Sequence, residues 1–126
     1  MEILQGIDIL KVERIKKIYL NYENKFLKKI LTDSEIKQIK KNQKIYYKIA
    51  GKFSAKEAVA KAIGTGFSDG IKIKDIEIIN LKNGKPIINL HGKAKKRMEN
   101  IESSSISISN DGGFVVSVAT FLMKKI

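Results

Sequence analysis

The spacing of apolar positions changes character halfway along the chain. Ile3, Leu4, Ile7 and Ile9 crowd around Gly6 and predict an opening strand to about Ile9, apolar enough to be buried on more than one face. From about Lys11 to Tyr22 the spacing becomes helical: Val12, Ile15, Ile18 and Tyr19 recur between charged residues. A second short helix follows over about Asn24 to Leu31. Thr32-Asp33-Ser34-Glu35 then fits a capping box opening a third helix through about Lys41. The longest helix is predicted from about Lys44 to Ile63; its second half is rich in alanine, and it stops at Gly64. Beyond it, Ile71 to Ile73 and Asp75 to Leu81 alternate as strands, and Lys82-Asn83-Gly84-Lys85 reads as a hairpin turn into a strand from Pro86 to His91. Gly92 to Ile101 reads as a short basic helix. Ser105 to Ser109 alternates, Asp111-Gly112-Gly113 turns, and Phe114 to Met123 returns as a strand apolar on both faces, which suggests a helix on one side and another subunit on the other. Helices first and hairpins later indicate an α+β fold, with an antiparallel sheet packed against one long helix and several short ones.

Composition narrows the class. A chain of 126 residues suits one domain, 1–126, and its 43% hydrophobic and 30% charged residues indicate a globular fold rather than disorder. There is no cysteine, which excludes disulfides and cysteine-based zinc sites. No apolar run reaches the roughly 20 residues of a spanning helix, and Met1 to Gly6 lacks the order of a secretory leader, so a soluble, cytoplasmic protein without a membrane partner is expected. The formal charge of +12 predicts an anionic partner. Nucleic acid is not the expected one: the lysines are spread over the whole chain, there is no tryptophan, and no nucleic-acid-binding motif appears.

Two acidic residues stand in informative surroundings. Asp8 lies in Gly6-Ile7-Asp8-Ile9, near the end of the opening strand. Glu57 lies in Phe53-Ser54-Ala55-Lys56-Glu57-Ala58, with Lys61 one turn on and Gly64-Thr65-Gly66 beyond. Two such carboxylates with a lysine and glycines suit a magnesium–phosphate site, because Mg²⁺ takes one or two protein carboxylates and completes its shell with water and phosphate. Simpler roles stand beside this. Asp8 could cap the helix near Lys11, Glu57 and Lys61 could be a surface i,i+4 pair worth about 0.3–0.5 kcal/mol, and Gly64 could be a plain helix stop. His91, the only histidine, reads as structural.

Taken together, Gly6-Ile7-Asp8-Ile9, Phe53 to Ala58, Lys61, Gly64-Thr65-Gly66 and Asn83-Gly84-Lys85-Pro86 resemble the holo-[acyl-carrier-protein] synthases, the small single-domain 4′-phosphopantetheinyl transferases, over essentially the whole chain. The resemblance implies transfer of phosphopantetheine from coenzyme A to a serine of apo acyl carrier protein, in fatty acid biosynthesis, with release of adenosine 3′,5′-bisphosphate. It implies Mg²⁺ held by Asp8 and Glu57, with Lys61 reaching the phosphates as a point charge. It also implies a homotrimer whose neighbouring subunits share active sites. Gly64, Gly66, Asn83, Gly84 and Lys85 would border the nucleotide, the first two through backbone N–H groups. The acidic carrier would dock on Arg14, Lys25, Lys28 and Lys29, with Phe26 or Leu27 as apolar contact. One departure stands out: where the family usually carries a histidine, this chain has Asn110, in Ser107-Ile108-Ser109-Asn110. Asparagine takes no proton near neutral pH, so Asn110 is left to hydrogen-bond phosphate or water, and Asp111 becomes a possible base. A catalytically weak relative that still binds coenzyme A or carrier protein is the alternative.

Overall fold

Small residues let a strand and a helix touch at the centre of the molecule. In the computed structural model, which describes residues 1–39 and 44–125, the chain opens with β1 (Glu2–Lys11). Three short helices follow: α1 (Val12–Tyr22), α2 (Asn24–Ile30) and α3 (Asp33–Ile39). Lys40 and Lys41, where α3 was expected to end, lie outside the described residues. The long helix α4 (Ile45–Ile63) comes next, then the strands β2 (Ile76–Asn80) and β3 (Pro86–Leu90), the helix α5 (Gly92–Arg97), and finally β4 (Ile101–Asp111) and β5 (Phe114–Met123).

The strands form two antiparallel sheets among the described residues. One has the order β1-β5-β4, and the hairpin β2–β3 makes the other. Helix α4 lies between them with most of its residues buried, which is why its sequence is alanine-rich rather than striped. Its second half packs Ala55, Ala58, Val59 and Ala62 into a core with Ile76, Ile78, Ala119 and Phe121. Its first half, through Ile49 and Ala50, joins a second core with Ile15, Leu27, Ile30, Leu31 and Ile39 of the small helices.

Gly6 is the contact point between β1 and α4. A Cβ there would lie 2.0 Å from the Ala58 carbonyl oxygen and 2.6 Å from the Ala62 nitrogen, both backbone atoms that cannot swing aside. Gly6→Ala is therefore expected to cost at least the ~1–3 kcal/mol of ordinary overpacking and to push Asp8, two residues on, away from the helix. Urea denaturation and transfer activity should both report it.

Four sequence expectations change. The segment Ile71 to Ile73 is not a strand. Asp75 Oδ2 accepts the Lys72 N–H at 2.9 Å and closes a 3₁₀ turn over Ile73–Asp75, a local side-chain bond that competes with strand pairing. Helix α5 stops at Arg97, since Met98 closes its last turn through bonds to Ala94 and Lys95 and Ile101 already pairs with Met123. The expected single sheet is split, because β2 and β3 pair only with one another. Lastly, β1 buries one face only. Ile3, Ile7 and Ile9 are 68%, 60% and 63% exposed on the other, beside half-buried Val116, Val118 and Leu122 of β5. Among the described residues no helix is long and apolar enough to cross a membrane.

Candidate active site

Register fixes where Asp8 points. It pairs with Ser117, as Gly6 pairs with Ala119 and Leu10 with Val115, and all of these belong to the face of the sheet turned toward α4. Because β1 is an edge strand, the Asp8 side chain stays 13% exposed rather than sealed. Lys61 reaches across from α4: its Nζ lies 3.2 Å from Asp8 Oδ1 and donates to the Ile7 carbonyl at 3.1 Å. Glu57, one turn before Lys61, is close enough to feel both. Burial pushes its carboxyl above the usual range, the charge of Asp8 pushes it further, and Lys61 pulls against both. Ser54 Oγ donates to the Asp8 carbonyl at 3.4 Å. The crossing of β1 and α4 thus brings the three predicted residues Asp8, Glu57 and Lys61 together. The capping role for Asp8 falls away, since Lys11 is the N-cap of α1 and no side chain caps that helix.

A second feature lies elsewhere. A cleft of about 820 Å³ is lined by Lys44 at the N-cap of α4, Lys48 and Lys52 within it, Gly84 and Lys85 of the hairpin, and Asn110 of β4. Three of the predicted nucleotide-binding residues, Gly84, Lys85 and Asn110, therefore share one wall system, whereas Asn83 supports it from behind. The Asn83 Oδ1 accepts the Lys85 N–H at 3.0 Å, and Gly84 completes the turn at φ 89°. Lys52 ties the cleft floor together, donating to the Ile78 carbonyl at 2.6 Å and to Gln38 Oε1 and Asn80 Oδ1 at 3.2 Å each. Asn80 in turn donates to the Gly84 carbonyl at 3.0 Å. Burial lowers the Lys52 ammonium to about 8; Glu35 opposes that shift, and the charges of Lys56 and Lys48 add to it.

The cleft and the carboxylates face away from each other. Nine residues separate Lys48 from Glu57, about two and a half turns at 3.6 residues per turn, so the two side chains leave opposite sides of α4.

Other predicted positions fall out differently. The Gly64 and Gly66 amides both donate to the Ala60 carbonyl, at 3.1 and 3.2 Å, and Gly64 adopts φ 96°. They close the helix, so neither N–H is left to receive an anion. Arg14, Lys25, Lys28 and Lys29 are exposed, as a docking surface requires. Leu27 is buried at 2% exposure and belongs to the interior, whereas Phe26 is half-buried against the second core; Ile18, Leu20 and Tyr22 of α1 are exposed apolar side chains beside it in sequence. His91 Nε2 hydrogen-bonds Glu77 Oε1 at 3.1 Å, in keeping with a structural role, and Asp111 ends β4 as an exposed residue.

Sequence reasoning missed the lysine stripe and a buried ion pair. Lys44, Lys48 and Lys52 recur every four residues, a signal that was present. The buried pair is Glu35 with Lys56, both fully buried and 2.7 Å apart. Glu35 does form the capping box with Thr32, accepting the Thr32 N–H at 2.8 Å while its own N–H donates to Thr32 Oγ1 at 3.3 Å. The same carboxylate also accepts from Lys56 and from the Ile78 N–H at 2.8 Å.

The family model described as "4′-phosphopantetheinyl transferase superfamily" matches residues 5–119. The holo-[acyl-carrier-protein] synthase of Caldanaerobacter subterraneus subsp. tengcongensis is 44% identical over 121 residues, 94% of each chain, and that of Maridesulfovibrio salexigens is 40% identical over 120 residues, 95% of this chain and 96% of the relative. The crystal structure of the Helicobacter pylori holo-[acyl-carrier-protein] synthase in complex with coenzyme A superposes with a TM-score of 0.84 at 34% identity, covering 94% of this chain and all of that one. With matches of this extent in sequence and in fold, the chain belongs to the 4′-phosphopantetheinyl transferase superfamily, as a phosphopantetheinyl transferase of the holo-[acyl-carrier-protein] synthase type.

Proposed function

We propose that the chain, as one domain spanning 1–126, transfers phosphopantetheine from coenzyme A to a serine of apo acyl carrier protein in a Mg²⁺-dependent reaction, releasing adenosine 3′,5′-bisphosphate, in the cytoplasm and in the service of fatty acid biosynthesis. The observation that carries this reading is the meeting of Asp8, Glu57 and Lys61 where β1 crosses α4. The donor set suits the metal. Two carboxylates that repel each other, at an edge open to solvent, offer the hard oxygen ligands that Mg²⁺ takes, in the small number it needs. When bound, Mg²⁺ neutralises pyrophosphate charge and acts as a Lewis acid.

The remaining work falls to the chain itself. Asp8 and Glu57 hold the cation at the helix–strand crossing. Lys61, on a flexible half-exposed stem, supplies a point charge for the phosphate that develops charge as the bond breaks. The cleft with Lys48 and Lys85 suits a nucleotide carrying a further phosphate, and the H. pylori relative is described in complex with coenzyme A. Asn110, on the cleft wall, donates or accepts hydrogen bonds without moving a proton at neutral pH.

Assembly follows from the same geometry. With carboxylates and cleft on opposite sides of α4, one coenzyme A reaches both only if the carboxylates of one subunit face the cleft of its neighbour. The exposed Ile3, Ile7 and Ile9 offer an apolar surface for such packing, and the homotrimer of the family would use it. Ile3→Asp, five residues from Asp8 and on the other face of β1, is expected to yield monomers in analytical ultracentrifugation and to abolish transfer without touching either half-site.

The carrier would meet the exposed Arg14, Lys25, Lys28 and Lys29, with Ile18, one turn after Arg14, as the apolar contact. Arg14→Glu should lower kcat/KM for carrier protein about tenfold, mostly through association, and flatten its dependence on salt.

The function is tested by weighing apo acyl carrier protein after incubation with enzyme, coenzyme A and Mg²⁺, with and without EDTA. A gain of one phosphopantetheine mass that EDTA prevents supports the reading. No gain, from a folded protein that still binds coenzyme A, favours the weak relative suggested by Asn110.

A further inference from the structure

The position of Lys61 is not what a half-exposed lysine needs. Its side chain is 53% exposed, so its ammonium has water available, yet it folds back onto β1 and divides its donors between Asp8 Oδ1 and the Ile7 carbonyl. Asp8 is 13% exposed, and among the described residues Lys61 is the side chain that bonds its carboxylate. A monovalent cation thus already sits on one of the two carboxylates assigned to the metal. We propose that Lys61 is the resident counter-ion of Asp8 in the metal-free enzyme and competes with the divalent cation for that carboxylate. The inference rests on the metal-site reading above and adds to it a second partner for Lys61: Asp8 before the site is loaded, substrate phosphate afterwards.

Two consequences follow. Metal binding to the free enzyme is held down, since the cation must displace an ammonium as well as water. An anionic nucleotide that draws Lys61 away releases Asp8, so nucleotide and metal promote each other's binding, by the same factor in either order. The lysine would then favour loading of the metal together with its substrate.

The test is the affinity of the free, full-length protein for Mn²⁺, read from the electron paramagnetic resonance signal of unbound ion, without nucleotide. Wild type, Lys61→Met and Asp8→Asn are compared at fixed low ionic strength, after circular dichroism shows all three folded. The expected result is that Asp8→Asn loses binding while Lys61→Met binds Mn²⁺ up to about fivefold tighter than wild type, the most an exposed ion pair usually contributes. That gain should shrink as salt is raised. Transfer by Lys61→Met should fall at the same time; a merely structural role for Lys61 would weaken metal binding along with catalysis. Loss of binding in Asp8→Asn with no tightening in Lys61→Met would overturn the inference and leave the metal site standing. Unchanged binding in Asp8→Asn would overturn the metal-site reading itself.

Discussion

Replacing Glu57 with glutamine should reduce phosphopantetheine transfer by a factor on the order of 10³ or more while leaving the protein folded. The substitution is nearly isosteric and removes one of two carboxylates expected to hold the metal. The loss therefore falls on a term that typically supplies several kcal/mol of transition-state stabilisation. Its effect on stability should have the opposite sign. Burial and the charge of Asp8 raise the Glu57 carboxyl above its ordinary value, so the folded state holds this proton more tightly than the unfolded chain. The stability this contributes is fully present below the ordinary glutamate value and is lost as pH rises through the folded value. In EDTA, wild type should lose thermal stability across that mildly acidic window, and Glu57→Gln should lose less, melting at or above the wild-type temperature at neutral pH. Calorimetry and transfer rates on the same samples check both halves. Wild-type rates in Glu57→Gln would remove it from the metal site.

Replacing Lys56 with methionine should produce the largest loss of stability, about 3–5 kcal/mol. The Lys56 ammonium is fully buried and donates to Glu35 Oε1, the Ile76 carbonyl and, more weakly, the Ile73 carbonyl. Without it, a sealed carboxylate is left with an unbalanced charge, and the Ile76 carbonyl of β2 and the Ile73 carbonyl of the 3₁₀ turn lose their donor. Glu35→Gln in the same background should recover part of the loss, because glutamine carries no charge and its one amide oxygen still accepts from either the Thr32 or the Ile78 N–H group, which bond separate oxygens of the carboxylate. A urea midpoint that falls in the single variant and rises again in the double, at constant protein concentration, is the expected pattern. Additive effects would mean that the two residues act separately.

These predictions mark where the sequence was legible. The residues of the β1–α4 crossing were suggested by local types and spacing, a carboxylate two residues past a glycine and a Glu–Lys pair one turn apart, and were singled out by the resemblance to the holo-[acyl-carrier-protein] synthases. Gly64 and the Asn83-Gly84 turn could be found because positive φ leaves few residue choices. Local rules also identified Glu35 as a capping residue. They did not show that its carboxylate is the counter-ion of a lysine 21 positions away, since burial and long-range pairing leave no mark on neighbouring residues. The burial of Leu27 was illegible for a related reason. Leu27 and Ile18 look alike as residues, and only the packing of α2 against Ile15 and Ile39 turns Leu27 inward. The strand expected at Ile71 to Ile73 failed because the Asp75 carboxylate binds the Lys72 amide first. The placing of the cleft and the carboxylates on two faces of one helix required the spatial position of the hairpin, which its sequence does not specify.

The account turns on one claim: the carboxylates of one subunit and the cleft of another serve the same coenzyme A. The direct test is complementation. Glu57→Gln subunits, intact in the cleft, are mixed and reassembled with Lys48→Glu/Lys85→Glu subunits, intact in the carboxylates, and transfer is measured against each variant alone. The account predicts two inactive or nearly inactive parents and a mixture that regains a substantial share of wild-type activity. A mixture no more active than its parents, with exchange of subunits verified by native mass spectrometry, would contradict it and return the whole site to a single chain.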